Sequence, residues 1–432
     1  MKSILKNILV SVLTLIAKGI LWRHEPRVIA VTGSVGKTST KDAIYAVLKG
    51  TGSVRRSEKS FNSELGVPLS IIGAANGWNK AHAWIGVIAH GIAQIVSPRG
   101  SYPATLVLEV GADRPGDISA IAKWIKPHVV VITRLPDVPV HIEFFPTLES
   151  LIDEKLSLAR HMRKDGTLVL NADDPRVLAA REEMRVRTVT YGEHENAMLR
   201  ASDVKLLAPS EDGREGGLAF KANFDGKSLP VILPNIYGRS YMSIALAALG
   251  VAYALGHNMV TAIGNLAEYE TPPGRARLIP GDHGTVLIDD TYNSSPAACE
   301  AGLLMLKELP FGKRKIAVIG DMLELGKHTN EAHLAVGRYA RKHCDLLVTV
   351  GLRAKQCAEG AREAGMSEKK IYETDDALGA VEIVKKIAKP GDVIYFKGSQ
   401  GMRMERAVRA LMAEPEKAAE LLVRQEDAWN KR

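Results

Sequence analysis

Residues 31–40, VTGSVGKTST, place two glycines three apart, follow them with Lys-Thr, and sit between an apolar run and a helical pattern. Strand, glycine-bracketed turn, Gly-Lys-Thr and helix is the form in which a chain cradles phosphate. Backbone N–H groups turn inward there, and the helix N-terminus adds partial positive charge. Thr32, Gly33, Ser34, Val35, Gly36 and Ser39 would form the cradle for ATP. Lys37 would reach the β- and γ-phosphates, and the Thr38 hydroxyl would ligate Mg²⁺. The usual spacing wants glycine where Val31 stands, so the match is to a shorter form, Thr-Gly-x-x-Gly-Lys-Thr.

Other candidates lie where strands end. Glu109 closes the apolar run ATLVLEVGA, and in open parallel sheets ligands sit at the carboxyl ends of strands. It is expected to share one Mg²⁺ with Thr38, a hard ion that takes oxygen ligands. His141, in VHIEFFP, reads either as a ligand of a second ion or as an ordinary loop histidine. Lys155, in DEKLSLAR, reads on local grounds as a solvated helix lysine. Asp290, Tyr292 and Asn293, in DDTYN, suit contacts to a ribose or base. Lys397 and Ser399, in KGS, put a cation at another strand end.

Strand-like runs alternate with helical patterns, which predicts parallel sheets with crossover helices. The expected architecture is α/β. Residues 27–270 would form a central P-loop ATP-binding domain with a mostly parallel sheet. A break follows at ETPPGRAR, and residues 271–432 would form a Rossmann-like α/β domain. No GxGxxG is present, so a dinucleotide site is not indicated. The 432 residues carry 57 Lys and Arg against 49 Asp and Glu, a net charge of +8. No Arg-rich run with interleaved aromatics appears, which sets nucleic acid aside. Three cysteines without a CxxC pair exclude a disulfide framework and a thiolate zinc site, and suit a reducing cytoplasm.

Residues 1–26 are apolar and basic. They read either as an interfacial helix with Lys2, Lys6, Lys18 and Arg23 toward anionic headgroups, or as a helix packed on the protein itself. The first reading places the protein peripherally at the inner face of the cell membrane. A second apolar stretch, AHAWIGVIAHGIAQIV (81–96), is a core helix or a membrane-facing partner of the first.

Taken in order, TGSVGKTST, SFNSELGVPLS, LEVGADRPGDI, NADDP, DDTYNSSP, AVIGDMLELG and KGSQGMRME resemble the Mur ligase family from about residue 27 to the C-terminus. Within it they are most similar to the branch that joins D-Ala-D-Ala to UDP-MurNAc-tripeptide in peptidoglycan synthesis. The resemblance implies an ATP-dependent amide ligase. A substrate carboxylate takes the γ-phosphoryl group, and the dipeptide amine then displaces phosphate from the acyl phosphate. It implies that Lys155 is carbamylated and, with His141 and Glu109, supports two Mg²⁺ ions. It also implies that Arg275 reaches the nucleotide phosphates as the C-terminal domain closes, and that Asn62, Ser63, Lys397 and Ser399 face the substrates.

Three departures accompany it. The family's UDP-gripping N-terminal domain has no counterpart in residues 1–26, so the acceptor is expected to be held differently or presented at the membrane. The family pattern TNVGxAHLExF reads TRLPDVPVHIEFF, with Arg134 for Asn and two extra residues before His141. GRHNVxNALAA reads GRSYMSIALAA, with Ser240, Tyr241 and Ile244 at altered positions. A Mur-like ligase acting on another membrane-proximal carboxylate, and a non-catalytic nucleotide-binding scaffold, are the alternative readings.

Overall fold

The computed structural model describes residues 2–58, 60–78, 80–210, 215–426 and 429. Apolar runs such as Val129–Ile132 become strands buried along their whole length, the mark of a parallel sheet with helices on both faces. The first part of the chain contains α1 (Lys2–His24), α2 (Lys37–Val47), α3 (Gly66–Ile72), α4 (Ala81–Val96), α5 (Asp117–Ile125), α6 (Leu148–Arg160), α7 (Pro175–Glu183), α8 (Arg239–Ala254) and α9 (Met259–Leu266). Its strands are β1 (Arg27–Thr32), β2 (Val54–Arg56), β3 (Thr105–Glu109), β4 (Val129–Ile132), β5 (Thr167–Asn171), β6 (Arg187–Gly192), β7 (Leu199–Leu207), β8 (Gly217–Phe224) and β9 (Lys227–Pro234).

Among the described residues these strands form one sheet in the order β2-β3-β1-β4-β5-β6-β7-β8-β9. Pairing is parallel from β2 across to β7, and β7, β8 and β9 then run antiparallel as a meander. The meander is a finding that strand–helix alternation does not announce. Residues 211–214, within the polar stretch that joins β7 to β8, lie outside the described residues. Strand β1 sits between β3 and β4, where the strand order reverses and a crevice opens at the carboxyl ends. Thr32 and Glu109 end there.

The chain then supplies β10 (Arg277–Pro280), β11 (Val286–Asp290), β12 (Lys315–Gly320), β13 (Leu346–Val350), β14 (Ile371–Thr374) and β15 (Val393–Lys397). With them come α10 (Pro296–Glu308), α11 (Thr329–Ala340), α12 (Lys355–Glu363), α13 (Ala377–Ile387), α14 (Glu405–Leu411) and α15 (Ala418–Leu421). Their sheet is ordered β10-β11-β15-β12-β13-β14, parallel except for the edge strand β10. Adjacent strands β11 and β15 end on Asp290 and Lys397, paired in register.

Helix α1 is built into this fold by one face. Leu13, Ile16, Ala17 and Ile20 are buried in the same apolar cluster as Ile71 of α3 and Ile121 of α5. Ile4, Leu5, Ile8, Leu15 and Trp22 face outward. The helix is long and apolar enough to cross a membrane by length and composition, with 22% of that window buried. The Lys2 side chain lies outside the described residues. If the inner face is core, Ile20→Ala should destabilise by about 2–5 kcal/mol, whereas Leu15→Ala should stay within about 0.5 kcal/mol of the parent. Thermal unfolding of both purified variants checks this.

Candidate active site

The cradle follows from the turn between β1 and α2. Gly36 is the N-cap of α2 at φ 86°, a left-handed conformation that glycine takes without strain, and no side chain caps the helix. The first-turn N–H groups are therefore left to an anion. Gly33, at φ 136°, passes so close to β4 that a Cβ would lie 2.0 Å from Thr133 Oγ1. That hydroxyl donates to Val35 O at 2.7 Å, and Ser34 N donates to Arg134 O at 2.8 Å, so the loop is pinned to β4. Lys37 folds back, its Nζ donating to Gly33 O at 2.9 Å. The protein around it lowers its pKa, as does Arg275, while Glu109 and Asp113 pull it up.

Glu109 is buried at the end of β3. Its Oε1 accepts from Asn62 Nδ2 at 2.9 Å, and its Oε2 is enclosed without a partner. Thr38 Oγ1 lies 3.1 Å from Ser60 Oγ and 3.3 Å from Arg275 NH2. Ser63 turns away from this group: its Oγ accepts from Gly66 N at the start of α3. Among the described residues, no cluster of three or more His, Cys, Asp or Glu is placed to hold a metal without help. A buried carboxylate oxygen without a partner, on the same cavity wall as a threonine hydroxyl, nevertheless suits Mg²⁺, which completes its shell with phosphate oxygens and water.

Lys155 is buried, not solvated, which corrects the local reading of its helix. The cause is its neighbour. Glu154 accepts from Gly116 N, Ile118 N and Ser119 N at 2.9, 2.7 and 2.9 Å, fastening α6 to the N-terminus of α5 and turning the next residue inward. Burial first, and Lys37 second, push the Lys155 amine down to about 7, against the opposing pull of Asp113 and Glu154. His141, at φ 68°, places Nδ1 2.8 Å from Glu324 Oε2 and Nε2 3.6 Å from Asp113 Oδ1. Its partner Glu324 follows β12, so this contact spans the two sheets.

Arg275 spans them too. Its guanidinium lies 4.1 Å from the centre of the Tyr292 ring while it reaches Thr38, and its carbonyl accepts from the buried Tyr241 hydroxyl of α8. Asp289 holds the linker turn by accepting from Gly274 N at 2.9 Å. Lys397 Nζ donates to Asp290 Oδ2 at 2.6 Å and Asn293 O at 3.1 Å, and Tyr395 donates to the same carboxylate at 2.8 Å. Ser399 Oγ accepts from Leu323 N at 2.8 Å. Arg424 donates to the carbonyls of Thr291 and Tyr292, steadying that segment from the C-terminus.

One cavity of about 980 Å³ is walled by residues of both sheets. Ser34 to Ser39, Asn62, Glu109, His141, Arg275, Asp290, Tyr292, Asn293, Lys397 and Ser399 meet there. Thr32, Gly33, Ser63 and Lys155 stand behind the wall or beside it. Sequence reasoning missed Asp113 and Glu324, although both lie inside quoted segments, LEVGADRPGDI and GDMLELG. It also missed Glu154 and Arg424, for which no local signal exists.

A phosphate cradle on one parallel sheet, facing a cation-bearing strand end on a second, is the layout of a two-domain nucleotide-using α/β enzyme. The Mur ligase middle domain matches residues 31–252, and the Mur ligase glutamate ligase domain matches residues 274–400. The chain belongs to the Mur ligase family. It is 28% identical over 401 residues to the UDP-N-acetylmuramoyl-tripeptide–D-alanyl-D-alanine ligase of Bacillus subtilis, covering 93% of this chain and 79% of that protein. The Synechocystis enzyme of the same name is 29% identical over 400 residues, covering 92% and 77%. The structure of MurF from Thermotoga maritima in complex with ADP superposes with a TM-score of 0.76 at 27% identity, covering 94% of this chain and 84% of that one. MurF from Acinetobacter baumannii shares the fold, with a TM-score of 0.76 at 23% identity over 93% and 79% of the two chains. Gly33→Ala should weaken nucleotide binding at least tenfold, because the added methyl collides with Thr133. Calorimetric titration with ADP checks it.

Proposed function

We propose that this protein is an ATP-dependent amide ligase that joins D-Ala-D-Ala to the terminal carboxylate of UDP-MurNAc-tripeptide, releasing ADP and phosphate. The observation that carries this is the shared cavity, lined by the cradle with Thr38, by the buried carboxylate of Glu109 and by the linker arginine, which reaches the Thr38 hydroxyl. The acceptor carboxylate attacks the γ-phosphorus, and the resulting acyl phosphate gives the dipeptide amine a carbonyl with a good leaving group. Amine attack forms a tetrahedral adduct, which expels phosphate and leaves the amide. The protein's share is positioning and charge neutralisation. The open N–H groups of α2, Lys37 and Arg275 neutralise the triphosphate, and Asn62 orients Glu109.

Thr38 and Glu109 would hold one Mg²⁺, with His141 and a carbamylated Lys155 supporting a second. These ions would supply charge neutralisation at the phosphates. Carbamate formation needs a neutral amine that adds to CO₂ and loses a proton. An amine titrating near 7 is neutral roughly 1,600 times more often at neutral pH than one at 10.5. The modification converts a buried amine within electrostatic reach of Lys37 into an anion. Asp290, Tyr292 and Asn293 would meet the nucleoside, and Ser63 would act on substrate only through the start of α3. The working place is the ATP-holding cytoplasm, at the inner face of the membrane.

Phosphate release with ATP, UDP-MurNAc-tripeptide and D-Ala-D-Ala together, and not with any one omitted, is the expected result. Turnover with a different carboxylate alone would replace the acceptor assigned here. Lys37→Ala should lower that turnover by about 10²–10³-fold with the fold intact by circular dichroism. In ¹³C-bicarbonate, a carbamate resonance should grow as pH rises through about 7, since deprotonation exposes the reactive amine. It should vanish in Lys155→Met.

A further inference from the structure

Helices α1 and α4 lie side by side in parallel. A Cβ on Gly91 would meet Ile16 and one on Gly19 would meet Ile95, while His24 Nε2 sits 2.8 Å from Gln94 O. Each helix carries an outward apolar stripe at helical spacing. On α1 it is Ile4, Ile8, Val12 and Leu15, 66%, 55%, 36% and 71% exposed, and on α4 it is Ile85, Ile92 and Val96 at 68%, 51% and 76%. Trp22, 78% exposed, stands at the end of the α1 stripe. Neither helix contains an acidic residue, and Lys18, Lys80 and Arg99 are exposed around the pair.

We infer that α1 and α4 together form one lipid-docking platform that lies in the interface of an anionic membrane and does not cross it. The opposite stripe of α1, from Leu13 to Ile20, is used as protein core, so the helix cannot leave the fold to span a bilayer without opening that core. An apolar face built from two helices without an acidic residue, with Lys18, Lys80 and Arg99 exposed around it, matches acidic headgroups above acyl chains. A second copy of this chain would bring the same basic rim against itself. The platform is joined to the site. Lys6 pairs with Glu64 at 2.9 Å, in the loop that carries Ser60 and Asn62, and α3 continues from that loop beneath α1. The assignment rests on the cytoplasmic reading only for which leaflet is met.

Co-sedimentation of the full chain tests it, using vesicles of phosphatidylcholine alone and vesicles with 30% phosphatidylglycerol (about one anionic lipid in three). The protein should pellet with the anionic vesicles, fall back at high salt, and be released by alkaline carbonate. Leu15→Glu with Ile92→Glu should reduce binding at least tenfold. Both positions are exposed, and ATP-dependent phosphate release should stay at the parent level, which certifies the fold. Protein left in the supernatant with anionic vesicles would overturn the assignment. So would resistance to carbonate, or a dimer that the double variant dissolves. Loss of phosphate release in the parent would instead strike the ligase reading while leaving vesicle binding to be judged separately.

Discussion

Lys155 is buried within electrostatic reach of Lys37, and two ammonium groups in one poorly solvated place repel each other and lack water. The amine at 155 therefore gives up its proton near neutrality, which relieves its repulsion with Lys37. Everything else in the site answers that imbalance. The cradle adds further positive potential without adding charge, through N–H groups that α2 cannot satisfy internally. Glu109 brings one negative charge and keeps one oxygen unpaired. A triphosphate and its counter-ions are what such a field is short of, and a carbamate at Lys155 would be the least disruptive way to make the rear wall anionic.

The two sheets are held to this field by a few polar contacts at the cavity mouth. Arg275 is the centre of them: its carbonyl is fixed by Tyr241 of α8, its guanidinium lies over Tyr292, and its tip reaches Thr38. The segment GRSYMSIALAA departs from the family pattern at these positions. Tyr241 explains what its departure accomplishes. A buried phenol, its pKa raised by the surrounding protein, remains a neutral donor and ties the linker to α8 with no ligand required. His141 and Glu324 form the second tether, and through Asp113 it touches the environment of Lys155. Closure and charge balance are thus properties of the same side chains.

How much of this was legible in the sequence depends on how local each feature is. The cradle was readable because glycine, lysine and threonine act within one turn, and Glu109 because a strand end is a position in the pattern. Lys155 was not readable locally: its helix has the polar content of a surface helix, and only the N-terminus of α5, thirty-odd residues earlier in the chain, explains why Glu154 draws α6 inward. The meander at β7 to β9 escaped because its alternating burial appears only once the three strands pair. Lys397 was read as a cation at a strand end that could neutralise phosphate charge. Its pairing with Asp290, set by the register of β11 with β15, could be seen only once the two strands lay side by side.

The N-terminal helix shows why the two readings of an apolar segment need not compete. A helix whose apolar residues cover both faces can satisfy a core with one and leave the other to a different apolar phase. The core face of α1 is anchored by side chains that interlock with α3 and α4, Ile16 against Gly91 being the closest. Because α3 begins where the loop through Ser60 and Asn62 ends, the packing of α1 is continuous with the contacts of Asn62 to the carboxylate of Glu109 and of Ser60 to Thr38. A surface that orients α1 would therefore also restrict the loop that orients the strand-end carboxylate, and the orientation of the one would be paid into the other through packed side chains alone.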